Sequence, residues 1–303
     1  MKKICSILTT ALIMIAVLSS CLRINDTEPD IMTVYFVGNT MSEVGEYFVD
    51  CGTWKSQQVE QVYDTSAAPS RIDTVLGEEA EIFYLYTTSV YGHERQTYQS
   101  ADGSLKMSYD TETDRIVCMK NKNLVNKDLN EDRLSDEEYR NIALAFAGSM
   151  YPLLEKSDYK VHVDMPDENA EFAAVSIELN YAGYALNEWI ELDLTLDGQV
   201  CFYVEKLTFP EGIPQEILSA IDGIDFDLCL SSVKHCILEN ASKHIGSKME
   251  ILDVSTYKDI QLRADGSFAC IVYTTVSIDG QRRDATFAVP FLLPEISFEN
   301  TSS

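Results

Sequence analysis

"EFAAVSIELNYAGYALNEWIELDLTLDGQVCFYVEKL", residues 171–207, is the stretch that decides the fold. Its runs "EFAAVSIELNYAGY", "EWIELDLTL" and "QVCFYVEKL" are rich in β-branched and aromatic residues, and apolar and polar side chains alternate along them. Alternation with a period of two is typical of strands that have one buried face. Asp197-Gly198 is a tight-turn signal between the second and third runs. The stretch therefore predicts three successive antiparallel strands.

Two predicted helices separate this stretch from further groups of strands. Ser135, with Glu138 three residues later, is a capping-box signature, and apolar residues follow at helical spacing as far as Met150. A second helix is predicted over residues 227–244, with Gly246 as its stop signal. Strand-like runs precede the first helix and follow the second. The order is therefore strands, helix, strands, helix, strands.

This order predicts an α+β fold in which antiparallel sheets are each packed with one main helix. "SLKMSYDTETDRIVCMK" and "WIELDLTLDGQVCFYVEK" resemble the strand, acidic turn and strand that end PepSY-like and cystatin-like units. The resemblance implies two or more such units in a secreted binding or inhibitory module. The predicted domains are an N-terminal α+β domain over residues 34–210 and a C-terminal α+β domain over residues 211–303.

The N-terminus has the features of a bacterial lipoprotein signal peptide over residues 1–20. Lys2 and Lys3 precede an apolar stretch, which is shorter than the roughly 20 residues of a membrane-spanning helix. "LSSC" resembles a lipobox, which implies that Cys21 is acylated and that the signal is cut just before it. The polar residues 21–33 then form a tether, and the protein is expected on the cell membrane, facing outside the cytoplasm. The alternative is an ordinary signal peptide with an incidental cysteine.

The chain is strongly acidic, with 49 Asp and Glu against 23 Lys and Arg and a formal net charge of −26. Nucleic acids and anionic membrane surfaces bind clustered Lys and Arg, so nucleic acid is excluded as a partner. The predicted contact with a membrane is through the N-terminal lipid. The acidic residues are dispersed along the chain, and we interpret them as a source of solubility.

Six cysteines remain after the signal peptide and Cys21: Cys51, Cys118, Cys201, Cys229, Cys236 and Cys270. An even number in an exported protein is typical of a disulfide framework. Cys118 and Cys270, however, alternate with apolar residues, and Cys229 and Cys236 share one face of the second helix. Free cysteine behaves as a small buried hydrophobe. The pattern favours free thiols, with disulfides as the alternative.

The run "NYAGYALNEW" places three aromatic residues around a bend of small residues, and these form the predicted ligand surface: Tyr181, Tyr184 and Trp189. Exposed aromatic rings on such a hairpin would provide a platform for a glycan or a peptide. The alternative is that the rings are ordinary strand residues in the core or at a sheet edge.

The sequence contains no GxSxG, HExxH, CxxC or GxxxxGK motif, and no catalytic residue, metal ligand or cofactor is predicted. It therefore predicts a non-catalytic, lipid-anchored extracytoplasmic module of the bacterial cell envelope that binds an envelope protein, a peptide or a glycan. One alternative is an envelope hydrolase that uses a pair of carboxylates. Another is a solute-binding lipoprotein, a class whose two α/β lobes differ from the strand meanders predicted here.

Overall fold

The computed structural model describes residues 31–38, 42–55, 70–75, 78–90, 93–124, 133–164, 172–244, 246 and 248–291. The predicted signal peptide, Cys21 and most of the predicted tether lie outside the described residues. Within the described ranges, no helix combines the length and the apolar composition that a membrane span requires.

Fourteen strands follow one another in the described residues. They are β1 (Tyr35–Val37), β2 (Arg71–Val75), β3 (Glu78–Val90), β4 (His93–Ser100), β5 (Leu105–Asp110), β6 (Ile116–Asn121), β7 (Asp158–Asp164), β8 (Phe172–Tyr181), β9 (Tyr184–Thr195), β10 (Val200–Lys206), β11 (Met249–Val254), β12 (Asp259–Leu262), β13 (Phe268–Ile278) and β14 (Gln281–Phe291). The three strands predicted from the opening stretch are thus confirmed as β8, β9 and β10.

Helical segments are fewer, and both predicted helices are confirmed. The α-helices are α1 (Asp136–Met150), α2 (Gln215–Asp222) and α3 (Phe226–Lys243), and the 3-10 helices are Gly45–Cys51, Lys122–Leu124 and Pro152–Lys156. The capping box of α1 forms as predicted, because the Ser135 N–H donates to Glu138 Oε2 at 2.8 Å and the Glu138 N–H donates to Ser135 Oγ at 3.4 Å. Asp225 caps α3 by accepting from the Leu228 N–H at 3.0 Å.

The strands of the described residues form one 14-stranded sheet. Its main path runs β1-β14-β13-β12-β9-β10-β6-β5-β4-β3-β2, while β11 pairs with β13, and β7 pairs with β8, which itself pairs with β9. These pairs are antiparallel, except that β12 runs parallel to β9.

The predicted α+β fold, with several sheets each packed on one helix, is wrong. The described residues are mostly β, and their strands join one large mixed sheet. Strand β9 causes the difference, because it pairs with β8 along one edge and with β10 and β12 along the other. In the parallel pair Ala185 lies opposite Asp259, and the Ala185 N–H donates to the Lys258 carbonyl at 2.9 Å. The strands after α3 therefore extend the sheet that precedes α2.

Sheet pairing also crosses the position at which the two domains were predicted to divide. Strand β1, from the start of the predicted domain 34–210, pairs with β14 so that Tyr35 lies opposite Ala288. The 3-10 helix Gly45–Cys51 contacts α3, which belongs to the predicted domain 211–303. The division into two domains stays a prediction.

Helices α1 and α3 pack against the sheet and share one contiguous core. Tyr139 of α1 is buried, and its hydroxyl donates to the Leu196 carbonyl at 2.9 Å. Phe146 of α1 packs edge-on against Tyr203 of β10, with ring centroids 5.5 Å apart. Burial of one such large apolar side chain stabilises the folded state by about 1.5–3 kcal/mol. The helices thus hold the central strands in place beside the β8–β9 hairpin.

Candidate binding pocket at the β8–β9 hairpin

A pocket of about 340 Å³ lies beside the β8–β9 hairpin and is also lined by the 3-10 helix Pro152–Lys156 and by α2. Its aliphatic lining consists of Leu153, Leu179, Leu186, Ile213 and Leu218. Its polar lining consists of Tyr151, Lys156, Ser157, Asp158, Asn180, Tyr181 and Glu211. A concave cavity with an apolar floor and a few polar groups is the usual form of a ligand-binding site.

The turn of the hairpin has two residues, and its sequence suits its geometry. Ala182 and Gly183 have φ angles of 49° and 83°. Two successive positive φ angles give the turn type whose twist matches that of the flanking strands, and glycine adopts such an angle without steric cost. Tyr181 and Tyr184 therefore lie directly opposite each other.

A bulge in β9 shapes the floor of the pocket. The β8–β9 register shifts, so that three residues of β9, Leu186, Asn187 and Glu188, lie opposite the single Leu179 of β8. Asn187 has a φ of 54°, which asparagine tolerates better than most side chains. Leu186 and Glu188 on either side of Asn187 are both buried, and only Leu186 of the two lines the pocket.

The opposite wall comes from the loop "FPEGIP" and the first turn of α2. Gly212 has a φ of 105°, and its N–H donates to the Phe209 carbonyl at 3.0 Å. The Pro214 carbonyl accepts from the Leu218 N–H at 3.1 Å, which closes the first turn of the helix. This turn places Ile213 and Leu218 on the pocket side of the loop.

Two tyrosines belong to the polar lining of the pocket. The Tyr181 hydroxyl donates to Asp222 Oδ2 at 2.9 Å, which connects the hairpin to the last residue of α2. This hydrogen bond raises the pKa of Tyr181. Tyr151 is buried, and burial raises its pKa to about 12. Both phenols are therefore neutral near pH 7.

The three predicted ligand-surface residues do not meet at one surface. Tyr181 lines the pocket. Tyr184 is only 5% exposed and packs edge-on against Phe226, with ring centroids 6.2 Å apart. Trp189 lies elsewhere on β9, where Lys206 Nζ is 5.5 Å from its ring centroid. The exposed part of the hairpin therefore does not present the three rings together.

Two buried glutamates on neighbouring strands were not identified from the sequence. Glu188 Oε2 accepts from the Thr208 N–H at 2.5 Å, and burial raises the pKa of Glu188 to about 7. Glu205 accepts a hydrogen bond from the Tyr203 hydroxyl and forms an ion pair with Arg115, while burial raises the pKa of Glu205. Neither glutamate lines the pocket.

A signal for both glutamates was present in the strand periodicity. Glu188 has the same parity in its strand as the buried Ile190 and Leu192, and Glu205 has the same parity as the buried Tyr203. A carboxylate on the apolar parity of a strand indicates a buried acid. Within the described ranges, no group of three His, Cys, Asp or Glu side chains is arranged to hold a metal ion.

Comparison with known proteins gives no family for this chain. No protein-family model matches the sequence, and no curated protein matches it. One solved structure, the Bacillus megaterium YpeB C-terminal domain, is 11% identical, covers 71% of this chain and 82% of its own, and has a TM-score of 0.32. A TM-score of this size does not establish a shared fold, and the PepSY-like resemblance stays a prediction.

The buried Glu188 should make stability depend on pH, because its pKa is about 7 in the folded chain against about 4.5 for an ordinary glutamate. A carboxyl group with a raised pKa adds to the free energy of unfolding. This stabilisation is fully present below pH 4.5 and is lost as the pH rises through 7. Glu188→Gln removes this loss. The free energy of unfolding of the variant, relative to the natural chain, should therefore rise by about 3 kcal/mol from pH 4 to pH 8.

Urea unfolding of the natural chain and of Glu188→Gln at pH 4 and at pH 8 measures this change in the free energy of unfolding. Glu216→Gln, at an exposed position on α2, is the control substitution. An equal pH dependence for the two variants would show that the Glu188 carboxyl is not shifted.

Proposed function

We propose that this protein is a non-catalytic, lipid-anchored extracytoplasmic module whose pocket at the β8–β9 hairpin binds one apolar side chain of a partner polypeptide. The anchor is supported by "LSSC", which ends at Cys21, outside the described residues. The binding role is supported by the pocket and its lining. The two supports are independent, and each has its own test.

The observation that carries the binding role is the aliphatic floor of the pocket. Five Leu and Ile side chains from the hairpin, the 3-10 helix, the "FPEGIP" loop and α2 converge there. Displacing water from such a floor favours an apolar group by about 25 cal/mol per Å² of apolar surface buried. A cavity of about 340 Å³ has room for one large aliphatic or aromatic side chain.

The rim of the pocket favours a cationic flank on the partner. Asp158 and Glu211 are exposed lining residues, and Asp222 at the end of α2 accepts a hydrogen bond from the lining residue Tyr181. Among the described residues of the lining, Lys156 is the one basic side chain. The chain as a whole carries a formal net charge of −26. A partner with Lys or Arg beside its apolar side chain would thus be attracted over a distance and held at the rim.

A polypeptide fits this site better than a glycan. Sugar rings bind through open aromatic faces and several polar groups, whereas here Tyr184 is buried and Trp189 lies outside the pocket. The five aliphatic side chains of the floor offer no hydrogen-bonding group to sugar hydroxyls.

A hydrolase that uses a carboxylate pair would need two acids facing one cavity, with the pKa of at least one of them raised. The buried glutamates with raised pKa values, Glu188 and Glu205, instead bond to the chain itself and do not line this pocket. They support the central strands, and we assign them no catalytic step.

Filling the pocket should weaken peptide binding. Peptides selected on the immobilised protein from a random display library should share an apolar residue next to Lys or Arg. Leu218→Trp should weaken their binding at least about tenfold, because the indole occupies the space of the guest side chain and removes more than about 1.4 kcal/mol of apolar contact. Fluorescence polarisation with labelled peptides measures the dissociation constant.

Leu238→Trp is the matched control, because Leu238 is 58% exposed on α3 and lies outside the pocket. It should bind the selected peptides as the natural chain does. Equal binding by the Leu218 variant, or selection of peptides without an apolar residue, would refute the pocket as the binding site.

The lipid anchor should depend on Cys21 alone. In a bacterium that expresses the chain, a labelled fatty acid should be incorporated into the natural protein and into Cys5→Ala, and should be absent from Cys21→Ala. The Cys21 variant should also leave the membrane fraction. Label retained by Cys21→Ala would contradict the anchor.

A further inference from the structure

Two cysteines that are far apart in the sequence touch at the surface of the fold. Cys51 Sγ and Cys236 Sγ are 2.8 Å apart, although 185 positions separate them along the chain. Both residues are half-buried, and both line a second cavity of about 240 Å³. The sulfur atoms are therefore in direct contact and within reach of a small reagent.

Packing holds the two sulfurs together from both sides. Cys51 ends the 3-10 helix Gly45–Cys51, whose Phe48 is buried and packs edge-on against Phe287 of β14, with centroids 5.0 Å apart. Cys236 lies on α3, and the neighbouring side chains Val233 and Ile237 of this helix are buried in the core. Neither sulfur can move far from the other while these elements stay folded.

The surroundings favour a thiolate at Cys51. The Asn240 Nδ2 amide donates to Cys51 Sγ at 3.1 Å, and Lys243 adds a positive charge nearby. The hydrogen bond that the two thiols share lowers the pKa of Cys51 and raises the pKa of Cys236. The Asn240 amide is closer to Cys51 Sγ, at 3.1 Å, than to Cys236 Sγ, at 3.6 Å, so Cys51 is the better stabilised thiolate and the nucleophile of the pair.

We propose that Cys51 and Cys236 are an oxidisable pair that closes into a disulfide when the chain meets a disulfide oxidant, fastening the 3-10 helix Gly45–Cys51 to α3. A disulfide needs a sulfur separation of about 2.05 Å, so the two Sγ atoms must approach by less than about 1 Å. Oxidation in the cell rests on the proposed location outside the cytoplasm, where disulfides form and persist.

The reaction balances as an ordinary thiol–disulfide exchange. The Cys51 thiolate attacks one sulfur of the oxidant's disulfide, which forms a mixed disulfide and releases the first oxidant thiolate. Cys236 then loses its proton and attacks the Cys51 sulfur, which forms the Cys51–Cys236 bond and releases the second oxidant thiolate. The chain loses two electrons and two protons, and the oxidant disulfide is reduced to two thiols.

The other cysteine pair of the described residues differs in access. Cys229 of α3 and Cys270 of β13 also interact through a side-chain hydrogen bond, but both are fully buried in the core. Cys201 donates to the Asp193 carbonyl at 3.3 Å. The Cys51–Cys236 pair is distinguished by lining an open cavity.

Peptide mapping tests the pair directly. The full chain is isolated from the membranes of a bacterium that expresses it, its free thiols are alkylated during denaturation, and trypsin is added without reductant. Cleavage after Lys and Arg separates residues 24–55, which contain Cys51, from residues 235–243, which contain Cys236. The expected product is these two peptides joined, with a mass two hydrogen atoms below their sum.

Cys51→Ser should abolish the joined peptide, and Cys118→Ser, the matched control, should retain it. In the purified chain, the oxidised protein should melt about 5–10 °C above the reduced one, because the bond closes a long loop. Cys51→Ser should lose this difference.

The same peptide mapping is repeated on the purified, reduced chain after treatment with oxidised glutathione. This arm separates the proposal of an oxidisable Cys51–Cys236 pair from the proposal of a location outside the cytoplasm. A joined peptide in this arm but not in the membrane sample would uphold the pair and contradict the location outside the cytoplasm. Alkylated Cys51 and Cys236 in both arms, with no joined peptide, would overturn the pair.

Discussion

Strand β9 has hydrogen-bonded neighbours along both of its edges, and the rest of the sheet depends on this arrangement. β8 occupies one edge, while β10 and β12 share the other. The meander that precedes α1 reaches β9 through the β6–β10 pair, and the strands after α3 reach it through β12. A strand with paired neighbours on both edges lies inside the sheet, and β9 is therefore the strand through which the earlier and later groups of strands are joined.

The start of β9 is also where the molecule forms its binding pocket. The two-residue turn at Ala182 and Gly183 and the bulge at Asn187 are local irregularities that the paired strands on either side tolerate. Leu186, which lies between the turn and Asn187, is buried and lines the cavity. Irregularities of this kind at the end of a well-paired strand are a common way to build a site on a rigid base.

Features set by neighbouring residues could be predicted from the sequence, and features set by distant contacts could not. The capping box of Ser135 and Glu138 and the strands around the Asp197-Gly198 turn depend on a few adjacent residues. The single sheet depends on the Ala185–Asp259 pair, and no periodicity shows which strand will take a given edge. At the site, the sequence predicted the position of the β8–β9 hairpin. It did not predict the burial of Tyr184, because this burial follows from packing against Phe226 of α3 and not from strand alternation.

The single continuous sheet can be tested most directly by the two tryptophans of the chain. Trp54 packs on Ala269 and Ala288 near β13 and β14, whereas Trp189 lies in β9. In Trp54→Phe and in Trp189→Phe, the fluorescence of the remaining tryptophan and far-UV circular dichroism are followed together during urea unfolding. One cooperative sheet predicts coincident transitions of the two signals in each variant. A Trp54 transition separated from that of the circular dichroism would contradict the single sheet and favour two independent units.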